Sequence, residues 1–291
     1  MKYSFITQYQ NAWPIALQCR VLGVSRNGYY HYRNGLSRPA DPVHEEMLDL
    51  VKDVAKSSKY TYGSRRVKKA LTEWGYSISR NKARKLMDEA KIKARQHRKY
   101  RVTTNSNHNQ PVFENRLKRQ FDIARLDTVY AADVTYIWTR EGWLYLAVVM
   151  DLCSRRIVGW SMSSRMKAKL VCDALQMALW RRRPEAGLIH HSDRGSQYAS
   201  KAFRRLLETH GIEGSMSRKG DCWDNSVVES FFGSLKQELV QWKQYQTRYE
   251  AQQDILEYIT MFYNSDRLHS YLDYMSPNAF EQKLREMKKT A

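Results

Sequence analysis

Apolar positions recur with two different periods along this chain, and the change of period divides it. Trp13, Ile15, Ala16, Leu17, Val21 and Leu22 fall at helical spacing. Gly23 then predicts a turn and Ser25 the cap of a second short helix, so "CRVLGVSRNGYY" reads as helix, glycine turn, capped helix. Asn34 to Pro42, with Gly35 and Pro39, predicts a linker. A second helical unit follows. Met47, Leu48, Leu50, Val51 and Val54 share one face of Glu45–Lys56. "YGSRRVKKAL" predicts a helix after Gly63 with Ser64 as its cap, and Gly75–Tyr76 ends it. Ser79 caps "SRNKARKLMDEAKI", which turns Ala83, Leu86, Met87 and Ala90 inward. Residues 94–120, rich in Arg, Lys, Asn and Gln, have few periodic apolar positions and predict a basic connector.

From Thr128 the pattern becomes β. "VYAADVTYIWT", "WLYLAVVMDL" and "RRIVGWSMSS" are three strand-like runs joined at Glu141–Gly142 and Cys153–Arg155. Connections this short require neighbouring strands to run antiparallel. A helix over Lys167–Arg183, a buried strand in "GLIHHSD", a helix over Ala199–His210 and a strand in "IEGSMS" follow. Asn225 is then expected to cap a helix reaching about Val240. This order predicts an α/β ribonuclease-H-like domain behind N-terminal all-α helix-turn-helix units. The expected domains are 1–38 and 43–95 (helical), 96–125 (basic linker) and 126–285 (α/β).

Charge changes the picture in one half only. The chain carries a net +19, and residues 1–125 hold 26 Lys+Arg against 10 Asp+Glu, whereas residues 126–291 hold 23 against 20. A polyanionic partner is expected for the N-terminal half. Arg80, Lys82, Arg84 and Lys85 crowd the start of the "SRNKARKLMDEAKI" helix, the layout of a recognition helix entering a major groove. Arg65 and Arg66 open the helix before it and are expected on DNA as well. No run of about 18 apolar residues exists, so no membrane span is expected. Cys19, Cys153, Cys172 and Cys222 lack zinc or redox spacing and read as free thiols.

Three acidic residues stand where acids are costly or well placed. Asp133 interrupts an apolar strand, Asp193 closes another just before Arg194–Gly195, and Glu229 lies one turn into a helix beside Phe232 and Leu235. Singly, each has an ordinary explanation as a turn or helix-end residue. Together, on two strands and a helix of one α/β unit, they could hold a pair of hard divalent cations about 3.5–4 Å apart. Such a pair supports in-line displacement at phosphorus without a covalent enzyme intermediate. Lys236, seven residues after Glu229, shares its helix face and could hold a DNA phosphate. At most one of His190 and His191 faces this site, since neighbours on a strand point oppositely. Ser196, Gln197 and Tyr198 are candidates for the DNA backbone near the scissile phosphate, with Gln197 the one singled out. A non-catalytic DNA-binding regulator and a ribonuclease for RNA–DNA hybrids remain alternatives to a DNA-cleaving enzyme.

"AADVTYI", "HHSDRGSQYAS" and "DCWDNSVVESFFGSLKQEL" closely resemble the D,D(35)E signature of insertion sequence 3 family transposases. The interval agrees, with 35 residues from Arg194 to Val228. "FYNSDRLHSYLDYMSPNAF" resembles that family's ending, and "GVSRNGYY" and "YGSRRVKKAL" its helix-turn-helix segments. The resemblance implies a retroviral-integrase-like core using Mg²⁺ or Mn²⁺, two ions held by Asp133, Asp193 and Glu229, with Lys236 on DNA. It implies hydrolysis at element ends and strand transfer, acting on terminal inverted repeats and target DNA in double-stranded form. The implied setting is bacterial, cytoplasmic and nucleoid-associated. The implied protein partners are further copies of the chain, as homodimer or higher multimer, and the product of an upstream reading frame. The chain resembles the second frame's product alone, because it shows no heptad zipper.

Overall fold

The computed structural model describes residues 1–36, 41–95, 111–218 and 222–290. Three helices, α1 (Lys2–Gln8), α2 (Ile15–Val21) and α3 (Arg26–Leu36), make the first unit. Ser25 caps α3 by accepting from the Gly28 N–H at 3.0 Å, and Gly23 takes the expected left-handed turn at φ 60°. Its core is not the expected apolar set. Ile6, Cys19 and Tyr29 are buried, while Trp13, Leu17 and Val21 are exposed. The apolar periodicity does not mark α1, and α1 selects which face of α2 is covered. The expected linker is corrected as well: α3 runs through Gly35, and residues 37–40 lie outside the described residues.

The second unit packs α4 (Pro42–Ser57), α5 (Ser64–Glu73) and α6 (Arg80–Glu89). Asp41 caps α4 through the Val43 N–H at 3.1 Å with Pro42 as its first residue, and Ser79 caps α6 through the Lys82 N–H at 3.1 Å. Ser64 does not cap α5; the N-cap is Gly63, and no side chain serves there. Met47, Val51, Val54, Val67, Leu71, Ala83, Leu86 and Met87 form the buried interior.

The catalytic-type domain is a five-stranded sheet of β1 (Val129–Thr139), β2 (Gly142–Asp151), β3 (Ile157–Ser163), β4 (Ile189–Ser192) and β5 (Glu213–Met216), in the order β3-β2-β1-β4-β5. β1, β2 and β3 are antiparallel neighbours, and β4 and β5 run parallel to β1. Helices α7 (Ala168–Arg182) and α8 (Lys201–Thr209) are the crossovers that parallel strands need. They bury Tyr130, Ala132, Ala147, Val149 and Val158 on one face of the sheet. Gly159 makes the close approach possible, because a Cβ there would collide with the Ala174 carbonyl oxygen. On the other face lie α9 (Ser226–Glu238) and α10 (Arg248–Glu257), the latter passing into a π-helical stretch over Tyr258–Tyr263, and α11 (Pro277–Thr290) ends the described chain. This is the integrase-type, ribonuclease-H-like α/β fold behind a helix-turn-helix-like unit.

The two parts share one core, which spacing along the chain does not reveal. The Tyr62 hydroxyl donates to the Asp266 carbonyl at 3.1 Å and accepts from the Leu268 N–H at 2.8 Å. Lys59 pairs with Glu257 at 2.7 Å, and the Arg95 guanidinium donates to the Glu238 carbonyl. The expected basic connector is likewise no free tether over its described part, residues 111–125; residues 96–110 lie outside the described residues. Leu117 is buried, the Arg116 N–H donates to Ser215 Oγ at 3.0 Å, and Phe113 lies where any Cβ on Gly214 would collide at 2.7 Å.

Candidate active site

Register brings the two aspartates together. β1 and β4 pair in parallel with Ala132 opposite Ser192, so the next residues, Asp133 and Asp193, leave neighbouring strands side by side. The last paired residues, Ala132 and Ser192, are about 5 Å apart across the two strands. Asp133 Oδ1 accepts from the Val134 N–H at 2.8 Å, and Asp193 Oδ1 accepts from the Gly195 N–H at 2.9 Å. A Cβ on Gly195 would stand 2.9 Å from that same Asp193 oxygen, so a larger residue there would displace the carboxylate. Beyond Ala132, β4 no longer flanks β1, and the open edge gives the carboxylates access to solvent.

Helix α9 brings the third acid. Val228, Phe231, Phe232 and Leu235 bury its inner face, which leaves Glu229 exposed in the first turn and Lys236 half-buried two turns on. The Lys236 ammonium lies 5.1 Å from the centre of the Tyr136 ring. Burial raises the Asp133 pKa well above the ordinary carboxylate value, and repulsion from Asp193 and Glu229 adds to it. Glu229 is raised by burial and by Asp193. Burial draws Lys236 down to about 8, against the opposing pull of Asp133. The four groups therefore sense one another electrostatically. Among the described residues, no three His, Cys, Asp or Glu side chains are yet drawn together as a closed ligand set. Glu229 is exposed at the rim, within electrostatic reach of both aspartates.

Neither histidine is at the site. His191 is buried, with Nδ1 at 2.9 Å from Ser215 Oγ and Nε2 at 3.0 Å from the Asp224 carbonyl, and burial lowers its pKa to about 4. His190 packs against Tyr198 and Phe203 on the other face, lowered to about 3 by burial and by His191. Tyr198 is buried there too, which removes it from the candidates for DNA contact. Gln197 remains near the site, its Nε2 donating to the Met166 carbonyl at 3.3 Å. Asn225 occupies the N-cap position of α9 but does not cap it with its side chain. Instead its Nδ2 donates to the Ala132 carbonyl at 3.2 Å, which ties the start of α9 to the strand residue before Asp133.

Asp224, which sequence reasoning missed, organises this corner. Its fully buried carboxylate accepts from Arg119 at 2.8 Å, Asn115 at 2.9 Å and Arg218 at 3.1 Å, so its pKa is held below the usual range despite burial. Those partners lie six or more residues away in the chain, so no local pattern announces the hub.

Arg80, Lys82, Arg84 and Lys85 are all exposed on α6, and Arg65 is exposed on α5. Arg66 is a correction. Its guanidinium lies over the Tyr62 ring at 5.6 Å, turned toward Glu238 and Arg267, and burial lowers its pKa with Arg267 adding to that. It is half-buried at the domain junction rather than facing outward. No helix among the described residues is long and apolar enough to cross a membrane.

Comparison with known proteins agrees with this layout. The integrase core domain family matches residues 124–222, a second integrase core family matches 229–284, and an HTH-like domain family matches 43–100. Transposase InsF of insertion sequence IS3A from Escherichia coli (strain K12) is 40% identical over 285 residues, covering 97% of this chain and 99% of its own. An insertion element IS600 31 kDa protein of Shigella sonnei is 45% identical over 271 residues, covering 92% of this chain and 99% of its own. The catalytic core domain of BIV integrase superposes with a TM-score of 0.43 at 18% identity, covering 56% of this chain and 99% of that one.

Proposed function

Since the chain belongs to the InsF-type transposases of insertion sequence 3 elements, DDE-type enzymes with an integrase core, we propose that Asp133, Asp193 and Glu229 are its metal-binding catalytic residues. The observation that carries this reading is the parallel register that sets Asp133 beside Asp193, where their charges oppose each other. Clustered carboxylates fit a hard divalent cation, Mg²⁺ or Mn²⁺, and fit zinc or softer metals poorly. A pair of such ions, when bound, supplies Lewis-acid activation of the attacking oxygen and relief of charge on the leaving 3′ oxygen.

The chain's own groups do the positioning. Asp133 and Asp193 are fixed by their backbone N–H contacts, so two donor oxygens are preset. Glu229, exposed in the first turn of α9, turns inward once the repulsion is neutralised. Lys236 holds a cation beside the carboxylates, where a DNA phosphate must pass. The substrate strand lies along the open edge of β1, and water or a 3′-hydroxyl attacks phosphorus in line. No protein nucleophile enters. The α6 residues Arg80, Lys82, Arg84 and Lys85, with Arg65 on α5, are assigned to the inverted repeats. Pairing of two element ends calls for more than one copy of the chain, and the upstream-frame product is proposed as a further partner.

Two experiments test the assignment. A terminal-repeat duplex incubated with Mg²⁺ should be nicked at the element's 3′ end by the wild type. Glu229→Gln should bind the same duplex and leave it uncut; equal cutting by both proteins would remove Glu229 from the site. Replacing Arg80 and Arg84 by alanine should weaken repeat binding about 10-fold or more and make its salt dependence shallower by roughly one unit for each phosphate no longer neutralised. An unchanged salt slope would take α6 off the DNA.

A further inference from the structure

The β1–β2 hairpin has one face buried, where Ile137, Leu144 and Leu146 join the large core. Its other face should be polar where helix α7 no longer covers it, since an antiparallel sheet commonly turns such a face to water. It carries four aromatic residues instead. Tyr136 stands opposite Tyr145, and Trp138 opposite Trp143. Trp138 is 59% exposed and Trp143 42% exposed. Trp143 touches both neighbours edge-on, with ring centres 4.9 Å from Tyr136 and 4.8 Å from Trp138. Exposed aromatic clusters of this kind mark a contact surface. Tyr136 and Trp138 lie three and five residues beyond Asp133, about 10 and 17 Å along the strand and on the opposite face of it, so the strip meets the acids only round the open edge of β1. Lys236 joins the two, since its ammonium sits over Tyr136 and interacts with Asp133.

We propose that this strip is a stacking platform for unpaired nucleobases of the DNA strand adjoining the scissile phosphate. This rests on the reading of Asp133, Asp193 and Glu229 as the reaction centre. Exposed indole rings bind any base through its π face, whereas paired bases inside a duplex offer no free face. The cations fit the same occupant. Lys236 stands at the near end and exposed Arg140 at the hairpin tip, while the carboxylate of Glu141 is engaged by the Arg248 N–H at 2.9 Å. A second protein copy is disfavoured, because covering the strip would also cover Lys236 at the mouth of the carboxylate site.

The test uses the full chain in EDTA, so that no chemistry intervenes. Two probes are compared: a blunt duplex, and the same duplex with a five-nucleotide single-stranded tail carrying 2-aminopurine. Wild-type protein should prefer the tailed duplex and change the fluorescence of 2-aminopurine on binding. Trp138→Ala and Trp143→Ala should lose that signal and bind the tailed duplex about 10- to 100-fold more weakly, with blunt-duplex affinity unchanged. Trp138→Phe should keep most of both. Parallel loss on both probes, no loss on either, or loss of self-association in sedimentation instead, would overturn the platform. Asp193→Asn separates the two readings: it should abolish cleavage and keep the fluorescence change.

Discussion

Asp133→Asn should abolish strand cleavage and, without metal, make the protein more stable than the wild type. The two effects share one cause. Asp133 is half-buried on a strand beside Asp193, and its raised pKa reports a charge that the fold opposes. A carboxyl group whose folded pKa is raised binds its proton more tightly when folded. The metal-free wild type is therefore expected to lose stability as pH rises from the ordinary carboxylate value through the raised one. Asparagine keeps the Oδ1 acceptor for the Val134 N–H and removes the titration. The variant's Tm should rise by a few degrees at neutral pH, at about 2–4 °C per kcal/mol for a chain of this order of size. With Mg²⁺ the order should reverse, because a ligand that binds only the folded form stabilises it by mass action. Cleavage should fall on the order of 10³-fold or more, as for residues that act as one unit. Scanning calorimetry with and without Mg²⁺, beside a cleavage assay, reads all three. A variant less stable than wild type in EDTA would mean that the Asp133 charge is satisfied by the protein itself.

Arg267→Met should destabilise the chain by about 3–5 kcal/mol, the cost of leaving a buried charge without its partner. Arg267 and Glu238 are each 6% exposed at the side chain and pair at 2.7 Å, with further contacts at 2.9 and 3.1 Å. Tyr258 donates to the same carboxylate at 2.7 Å, and Ser234 meets the Arg267 guanidinium at 3.1 Å. Burial works against the Arg267 charge, and Glu238 more than offsets it. The consequence reaches the active site, because Glu238 ends the helix that carries Glu229 and Lys236. The helix-turn-helix-like unit is fastened at the same point through Arg95, and Gln237 Nε2 donates to the Arg95 carbonyl at 2.8 Å. The double variant Glu238→Gln with Arg267→Met should recover most of the loss, since no unpaired charge remains and an acceptor for Tyr258 is kept. Urea titration of the three proteins decides the matter. If the double variant is as unstable as Arg267→Met, the cost comes from poorer packing rather than from the stranded carboxylate.

What the sequence shows of this molecule depends on how local the cause is. The strands from Val129 to Ser163 are legible because alternation and short turns fix an antiparallel meander. Ser25 and Ser79 are legible caps because a cap acts within three residues. Asn225 misleads for the same reason: the type and position suit a cap, yet a carbonyl 93 residues away competes for its amide. Asp224 and the Glu238–Arg267 pair are not legible at all, since their partners meet only when the sheet, connector and C-terminal helices assemble. Arg66 and its neighbour Arg65 look alike in sequence, and only docking against Tyr62 separates them. The candidate acids stand out through their surroundings, an Asp inside an apolar strand and another ahead of a glycine turn. Their proximity depends on β4 inserting in parallel beside β1, which no spacing encodes.

The most direct measurement is a crystal structure of the wild type grown with Mn²⁺ and a terminal-repeat duplex, with manganese located by its anomalous scattering. The account predicts manganese coordinated by oxygens of Asp133, Asp193 and Glu229, at roughly 2.0–2.2 Å, with Glu229 turned in from the rim. Manganese bound elsewhere, or bound with Glu229 still pointing to solvent in a complex that cleaves DNA, would contradict it.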